Sequence, residues 1–164
     1  MGILLVTAKS KLSIGTALAF NNTDLTASDF TTPLASAALI GGTTNLGAAG
    51  DTSELITSNQ IGSGRTRKAK GTRNAGSMQV ICDIDIADAG QLALIAAEKT
   101  RDSYAFKLEF DDAPAGGTPS IRYFTAFVMS TSEQYDEANS VMKLNATLEI
   151  DSNIVRVAAA PSGG

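Results

Sequence analysis

Met78-Gln-Val-Ile-Cys82-Asp-Ile-Asp-Ile86-Ala-Asp88-Ala-Gly-Gln91-Leu-Ala-Leu-Ile-Ala-Ala-Glu-Lys99 carries two periodicities in succession. In its first half Met78, Val80, Cys82, Ile84 and Ile86 fall on one face of an extended chain, and Gln79, Ile81, Asp83 and Asp85 on the other. That alternation predicts a strand with one core face and one wetter face. From Asp88 the pattern gives way to a run of strong helix formers. Asp88 is placed as the N-cap, with Gln91 three residues later to complete a capping box. A helix is therefore expected from Asp88 to about Lys99, with Leu92, Ile95 and Ala96 facing the core.

The strand signal recurs on both sides of this stretch. Leu12 and Ile14 start a short strand ended by Gly15, and Ala38 to Ile40 lead into Gly41-Gly42 and a small-residue stretch from Thr43 to Ala49. Tyr104, Phe106, Leu108 and Phe110 alternate before a turn from Asp111 to Ser120. Ile121 to Met129 is apolar on both faces and needs cover on two sides. Met142, Leu144, Ala146, Leu148 and Ile150 alternate again, and Ile154 to Val157 adds a short strand. Seven of the nine aromatic residues lie between Tyr104 and Tyr135, so that stretch should anchor the core. The expected fold is mainly β: a single β-sandwich or barrel domain with one flanking helix over about 88–99.

The 164 residues suit one domain, and 43% apolar with 18% charged residues is enough to form a core. The domain is drawn over 1–157, with a long arm over about 50–76 and a flexible C-terminal tail over 158–164. The single cysteine, Cys82, cannot close an intrachain disulfide and reads as a small buried hydrophobe. The short apolar patch from Ile3 to Val6 lacks the features of a signal peptide, and no apolar run reaches transmembrane length. No membrane association is expected.

Net charge is −4, but Arg65, Arg67, Lys68, Lys70 and Arg73 place five cations with no acid between positions 65 and 73. Setting those five aside leaves eight cations against 17 acids, a net of −9. A body that acidic repels nucleic acid at short range. Gly62 to Gly76 is polar and glycine-rich, with nothing in a monomer to fix it. Three readings of the basic segment stand side by side: a solvated loop, a nucleic-acid contact, and an arm ordered by the acidic body of a neighbouring copy. The absence of interleaved aromatics argues against nucleic acid, and the charge asymmetry favours the arm.

Histidine is absent, which removes the commonest general base and metal ligand. Gly62 to Thr72 lacks phosphate-loop spacing, since Arg67 stands where the second glycine belongs. Asp83, Asp85 and Asp88 lack the sixth-position glycine and twelfth-position glutamate of a calcium loop. Glu133, Asp136 and Glu137 sit in an expected turn and read as solubilising surface. No catalytic residue, cofactor or metal is assigned.

Several segments resemble the tail tube (major tail) proteins of long-tailed, siphovirus-type bacteriophages. They are Lys11-Leu-Ser-Ile-Gly15, Leu39-Ile-Gly-Gly-Thr-Thr-Asn-Leu-Gly47, Gly50-Asp-Thr-Ser-Glu-Leu-Ile-Thr57 and Asn74-Ala-Gly-Ser-Met-Gln-Val80. Asp83-Ile-Asp85 and Asp88-Ala-Gly-Gln-Leu92 follow, the latter similar to a D-x-G-Q-x-x-L segment opening the helix. The Asn22 to Ala37 region and the basic 65–73 segment depart from the pattern, and the additional immunoglobulin-like domain of some members is not in this sequence.

The resemblance implies a non-enzymatic structural subunit. Six copies would form a ring, inner sheets would join into a continuous barrel, and rings would stack into a hollow tube for passage of DNA into the host. Its implied partners are itself, a tape measure protein in the lumen, tail terminator and tail tip proteins, and phage DNA in transit without sequence specificity. The implied location is the virion tail, assembled in the host cytoplasm. The five cations are then the expected inter-subunit or inter-ring contact. A related ring protein of contractile or type VI secretion-like tubes is the rival within the same structural class. A small nucleic-acid-binding module using the basic segment, and a hydrolase using the acidic positions, are the rivals outside it.

Overall fold

The computed structural model describes residues 4–162; the expected apolar start at Ile3 and the last two residues of the expected tail, Gly163 and Gly164, lie outside them. Ten strands and one helix follow in the order β1 (Lys11–Ala17), β2 (Ala38–Leu39), β3 (Thr43–Asn45), β4 (Thr52–Asn59), β5 (Thr66–Asn74), β6 (Ser77–Asp83), α1 (Ala89–Glu98), β7 (Tyr104–Glu109), β8 (Ile121–Gln134), β9 (Lys143–Ile150) and β10 (Val155–Val157). Eight strands form one antiparallel sheet in the order β2-β1-β7-β8-β9-β6-β3, with β10 also on β8. The two ends of that path, β2 and β3, are separated by only Ile40, Gly41 and Gly42. The sheet therefore returns on itself as a barrel, and β2–β3 acts as one kinked strand closing it.

Alternation places the core where the sequence puts it. Met78, Val80 and Cys82 face Leu144, Ala146 and Leu148 across the β6–β9 ladder, and Phe106 stacks on Phe124 with ring centroids 5.5 Å apart. Strand β8 does receive cover on two sides. Phe124, Ala126 and Val128 enter the core, while Tyr123 on the opposite face stacks at 5.1 Å on Phe30 of a short 3-10 turn, Ala27–Phe30. The segment bearing that turn is tied down by Asn153, whose side chain accepts from Leu25 N and donates to Leu25 O.

Several boundaries differ from expectation. Strand β1 runs through Gly15 to Ala17, because Gly15 is where Pro33 crosses: a Cβ there would lie 2.3 Å from the Pro33 carbonyl oxygen. The β6 alternation ends at Asp83, leaving Ile86 exposed. The helix buries Leu94, Ala97 and Gln91 in place of Leu92, Ile95 and Ala96, and Leu92 and Ala96 are exposed. The 65–73 segment is no loop but one strand of a separate two-stranded sheet, β4–β5. The C-terminal segment, expected to be loose, is fastened as far as Ala160 by paired backbone hydrogen bonds of 2.8 and 3.1 Å with Thr118.

Asp88 and Gln91 form the keystone between helix and barrel. The Asp88 carboxylate accepts from Gln91 N at 2.9 Å and Gly41 N at 3.0 Å. The Gln91 side chain does not return to the Asp88 backbone as in a capping box. It donates to Gly41 O and Asp83 O and accepts from Asp85 N, bridging the β2–β3 turn to the end of β6. Gly90 lets the helix sit there, since a Cβ would lie 2.3 Å from Leu39 O. The D-x-G-Q pattern is thus a device for closing the barrel.

Candidate functional site

The five sequence-assigned cations all lie on the β4–β5 hairpin, but they are not brought to one spot. Arg65 is in the connecting turn. Lys68 pairs with Thr57 and Lys70 with Leu55, whereas Arg67 pairs with Ser58 and so faces the other side of the ribbon. Between Lys70 and Arg73 the register slips by one residue. This bulge turns Arg73, opposite Ser53, to the same face as Lys68 and Lys70. Arg73 then reaches Asp51 at 2.5 Å, so one of the five has an acidic partner inside the arm, from outside the acid-free 65–73 span. Arg65, Arg67, Lys68 and Lys70 have no ion pair among the described residues.

The hairpin strands pair only with each other, and no residue of either is buried. Leu55 and Ile56 are exposed on it, and Ile61 at its tip is fully so. A lone two-stranded ribbon is marginally stable in water, which makes this an element with unspent contacts.

A second unsatisfied feature is the outer part of β8. Its first half is paired by β7 on one edge and β10 on the other, with Ala126 bonded to both Tyr104 and Ile150. Beyond Ala126 only β9 accompanies it, so Phe127–Gln134 keeps one edge with no strand beside it among the described residues. Such an edge is a template for pairing with another chain. Met129 stands exposed along it.

The third feature was not visible in the sequence. At the end of the barrel from which the arm emerges, a cavity of about 290 Å³ is lined by Leu46, Met78, Leu108, Phe124 and Ile154, among others. Arg122 and Arg156 also line it, directly opposed in the β8–β10 register. Arg122 lies over the Phe110 ring at 4.8 Å. Burial, followed by the Arg156 charge, pushes the Arg122 guanidinium below its ordinary range.

None of these features resembles a reaction centre. Among the described residues no three of Cys, Asp and Glu gather as a metal site. Cys82 is buried, and burial first, with Asp88 and Asp83 adding, pushes its thiol up to about 11, so it stays protonated and unreactive near neutral pH. Asp83 forms an ion pair with Lys143.

The architecture is shared with tube, baseplate and terminator components of phage tails and contractile injection systems. Over 97% of its length the chain matches 82% of a chain of the SPP1 tail tube, with a TM-score of 0.63 at 13% identity. It matches a chain of the six-fold symmetrised anti-feeding prophage baseplate with a TM-score of 0.68 at 13% identity, covering 96% of this chain and 98% of that one. A chain in the structure of the sheath/tube terminator of an extracellular contractile injection system, PVC, in its extended state gives 0.64 at 12% identity over 96% of this chain and 99% of that one. At such identities the likeness is one of fold. No protein-family model and no curated protein sequence matches the chain.

Proposed function

We propose that the chain is the tail tube subunit of a long-tailed bacteriophage, a structural protein and not an enzyme. Copies form six-membered rings that stack into a hollow tube, first around a tape measure protein and later around DNA in transit. Terminator and tip proteins close the two ends. The subunit works in the virion tail after assembly in the host cytoplasm.

The observation that carries this reading is the β4–β5 arm: a basic hairpin with no buried residue, on a body that outside it holds eight cations against 16 acids, a net of −8. An exposed ribbon with four cations that lack an ion pair among the described residues has its counter-charge on other copies, not on its own barrel. The free edge of Phe127–Gln134 supplies the second requirement, a strand for lateral joining within a ring. The acidic body suits a surface that DNA passes without being held.

Negative-stain microscopy of the purified protein tests the reading directly, with rings or tubes expected. Replacing Arg65, Arg67, Lys68 and Lys70 together by Glu should abolish assembly while leaving the melting temperature unchanged. Raising salt should weaken assembly of the wild type, because screened charges attract less. Tubes forming normally from the reversed variant would remove the arm from the mechanism. A terminator that caps a tube is the second reading, supported by the near-complete coverage of a chain in the PVC sheath/tube terminator structure. Single rings that never stack would favour it.

A further inference from the structure

We propose that the cavity at the arm-bearing end of the barrel is a socket for the β8–β9 turn, residues 135–142, of a second copy, so that copies join head to tail. The inference rests on the tube reading above. The cavity combines an apolar wall with a rim of two arginines that face each other across β8 and β10. Like charges directly opposite on neighbouring strands repel. Neither guanidinium has a carboxylate within ion-pair distance among the described residues. Burial first, then the facing Arg156, disfavour the charged form of Arg122, and the charge of Asp112 offsets them only in part, since the net direction is downward. An anion brought to the rim would relieve both, and an apolar group arriving with it would fill the wall.

The β8–β9 turn has that chemistry. Glu133, Asp136 and Glu137 gather there, with no lysine or arginine from Gln134 to Met142. Tyr135, Val141 and Met142 are exposed among them. The turn is held in shape: Tyr135 Oη donates to Glu133 at 2.6 Å, and Gln134 Nε2 donates to Asp136 at 2.8 Å. A copy cannot insert its own turn into its own socket. Arg122 stands at the start of β8 and Gln134 at its end, which at about 3.3 Å per residue separates them by roughly 40 Å. The contact is therefore between copies and uses two different surfaces. A heterologous contact closes into a ring or runs on as a filament according to its rotation, and two surfaces at opposite ends of β8 favour the second, copies stacked end to end.

The test is a charge exchange read by sedimentation and negative-stain microscopy, with circular dichroism and melting as fold controls. Arg122→Glu with Arg156→Glu, and separately Glu133→Lys with Asp136→Lys and Glu137→Lys, should each lose pelletable tubes. Combining all five substitutions in one chain should restore them. Arg156→Glu alone, at an exposed position, covers the case in which the change at Arg122 disturbs folding, and it should reduce stacking in a subunit that melts normally. Folded single-end variants that stack like the wild type would overturn the socket, as would failure of the folded five-fold variant to regain tubes. Unaffected stacking together with binding of decanoate to the wild type but not to the arginine variant would assign the cavity to a small amphiphile instead. Absence of any ring or tube from the wild type would overturn the tube reading itself.

Discussion

The β6–β9 ladder of the barrel and the β4–β5 ladder of the arm each hold seven registered residue pairs, yet one is a wall and the other a free ribbon. In the wall every second residue is buried: Met78, Val80 and Cys82 on β6, and Leu144, Ala146, Leu148 and Ile150 on β9. In the arm none is, and the alternate positions carry Lys68, Lys70 and Arg73 on one face and Arg67 with Ile56 and Ala69 on the other. Backbone pairing is common to both. What separates them is whether a face of the ladder removes apolar surface from water, since a hydrogen bond exchanged with solvent contributes only about 0.5–1.5 kcal/mol net.

One substitution made in both places separates wall from ribbon most clearly. Leu148→Ala, at a fully buried position, should cost about 2–5 kcal/mol. Leu55→Ala, at a residue 64% exposed, should stay within about 0.5 kcal/mol. Urea denaturation of the two variants measures both. A comparable cost at Leu55 would mean that the arm packs against the barrel in solution. Amide exchange gives a second view: β6 and β9 should open only with global unfolding, while β4 and β5 exchange through local fraying.

Asp88→Ala comes next in size. Read as a cap alone, Asp88 is worth about 1 kcal/mol. Because it also accepts from Gly41 N at 3.0 Å, its loss orphans a backbone donor on the β2–β3 turn as well, and the expected cost rises to roughly 2–4 kcal/mol. The damage should remain in the barrel. Thermal melting should fall while arm exchange rates stay as in the wild type.

That network also explains where sequence reading succeeded and where it slipped. Strand positions such as β6 and β9 were legible because each has one wetter and one apolar face, a pattern of period two, and β8 because a short apolar run between turns reads as a strand covered on both faces. The helix was legible in extent, but its inward face was not. Ala89, Leu92, Ala93, Leu94, Ile95, Ala96 and Ala97 are apolar nearly all round, so hydrophobicity does not choose a face. The choice is made by Gln91, a polar residue that must reach Gly41 and Asp83. The basic segment was legible as unburiable, yet its hairpin was not, since neither strand has an apolar face to betray it. Arg122 and Arg156 lie far apart in sequence and oppose each other only through the β8–β10 register. Such a pairing belongs to topology and leaves no local signal.

The smallest expected effect lies at the junction of the two regions. Arg73 Nη2 meets Asp51 at 2.5 Å where the arm joins the barrel, with the arginine side chain 64% exposed. An exposed pair of this kind contributes about 0–1 kcal/mol, because solvent screens it and holding two side chains costs entropy. Arg73→Ala should therefore leave global stability within about 0.5 kcal/mol. Its effect should instead be local, with faster exchange of Gly50, whose amide reaches Ala75 O at 3.4 Å beside the pair. The same substitution should change exchange less at high salt, where the pair is already screened. A loss well above 1 kcal/mol in urea unfolding would show that the base of the arm belongs to the cooperative unit of the barrel, and the boundary between wall and ribbon would then move outward to Leu55.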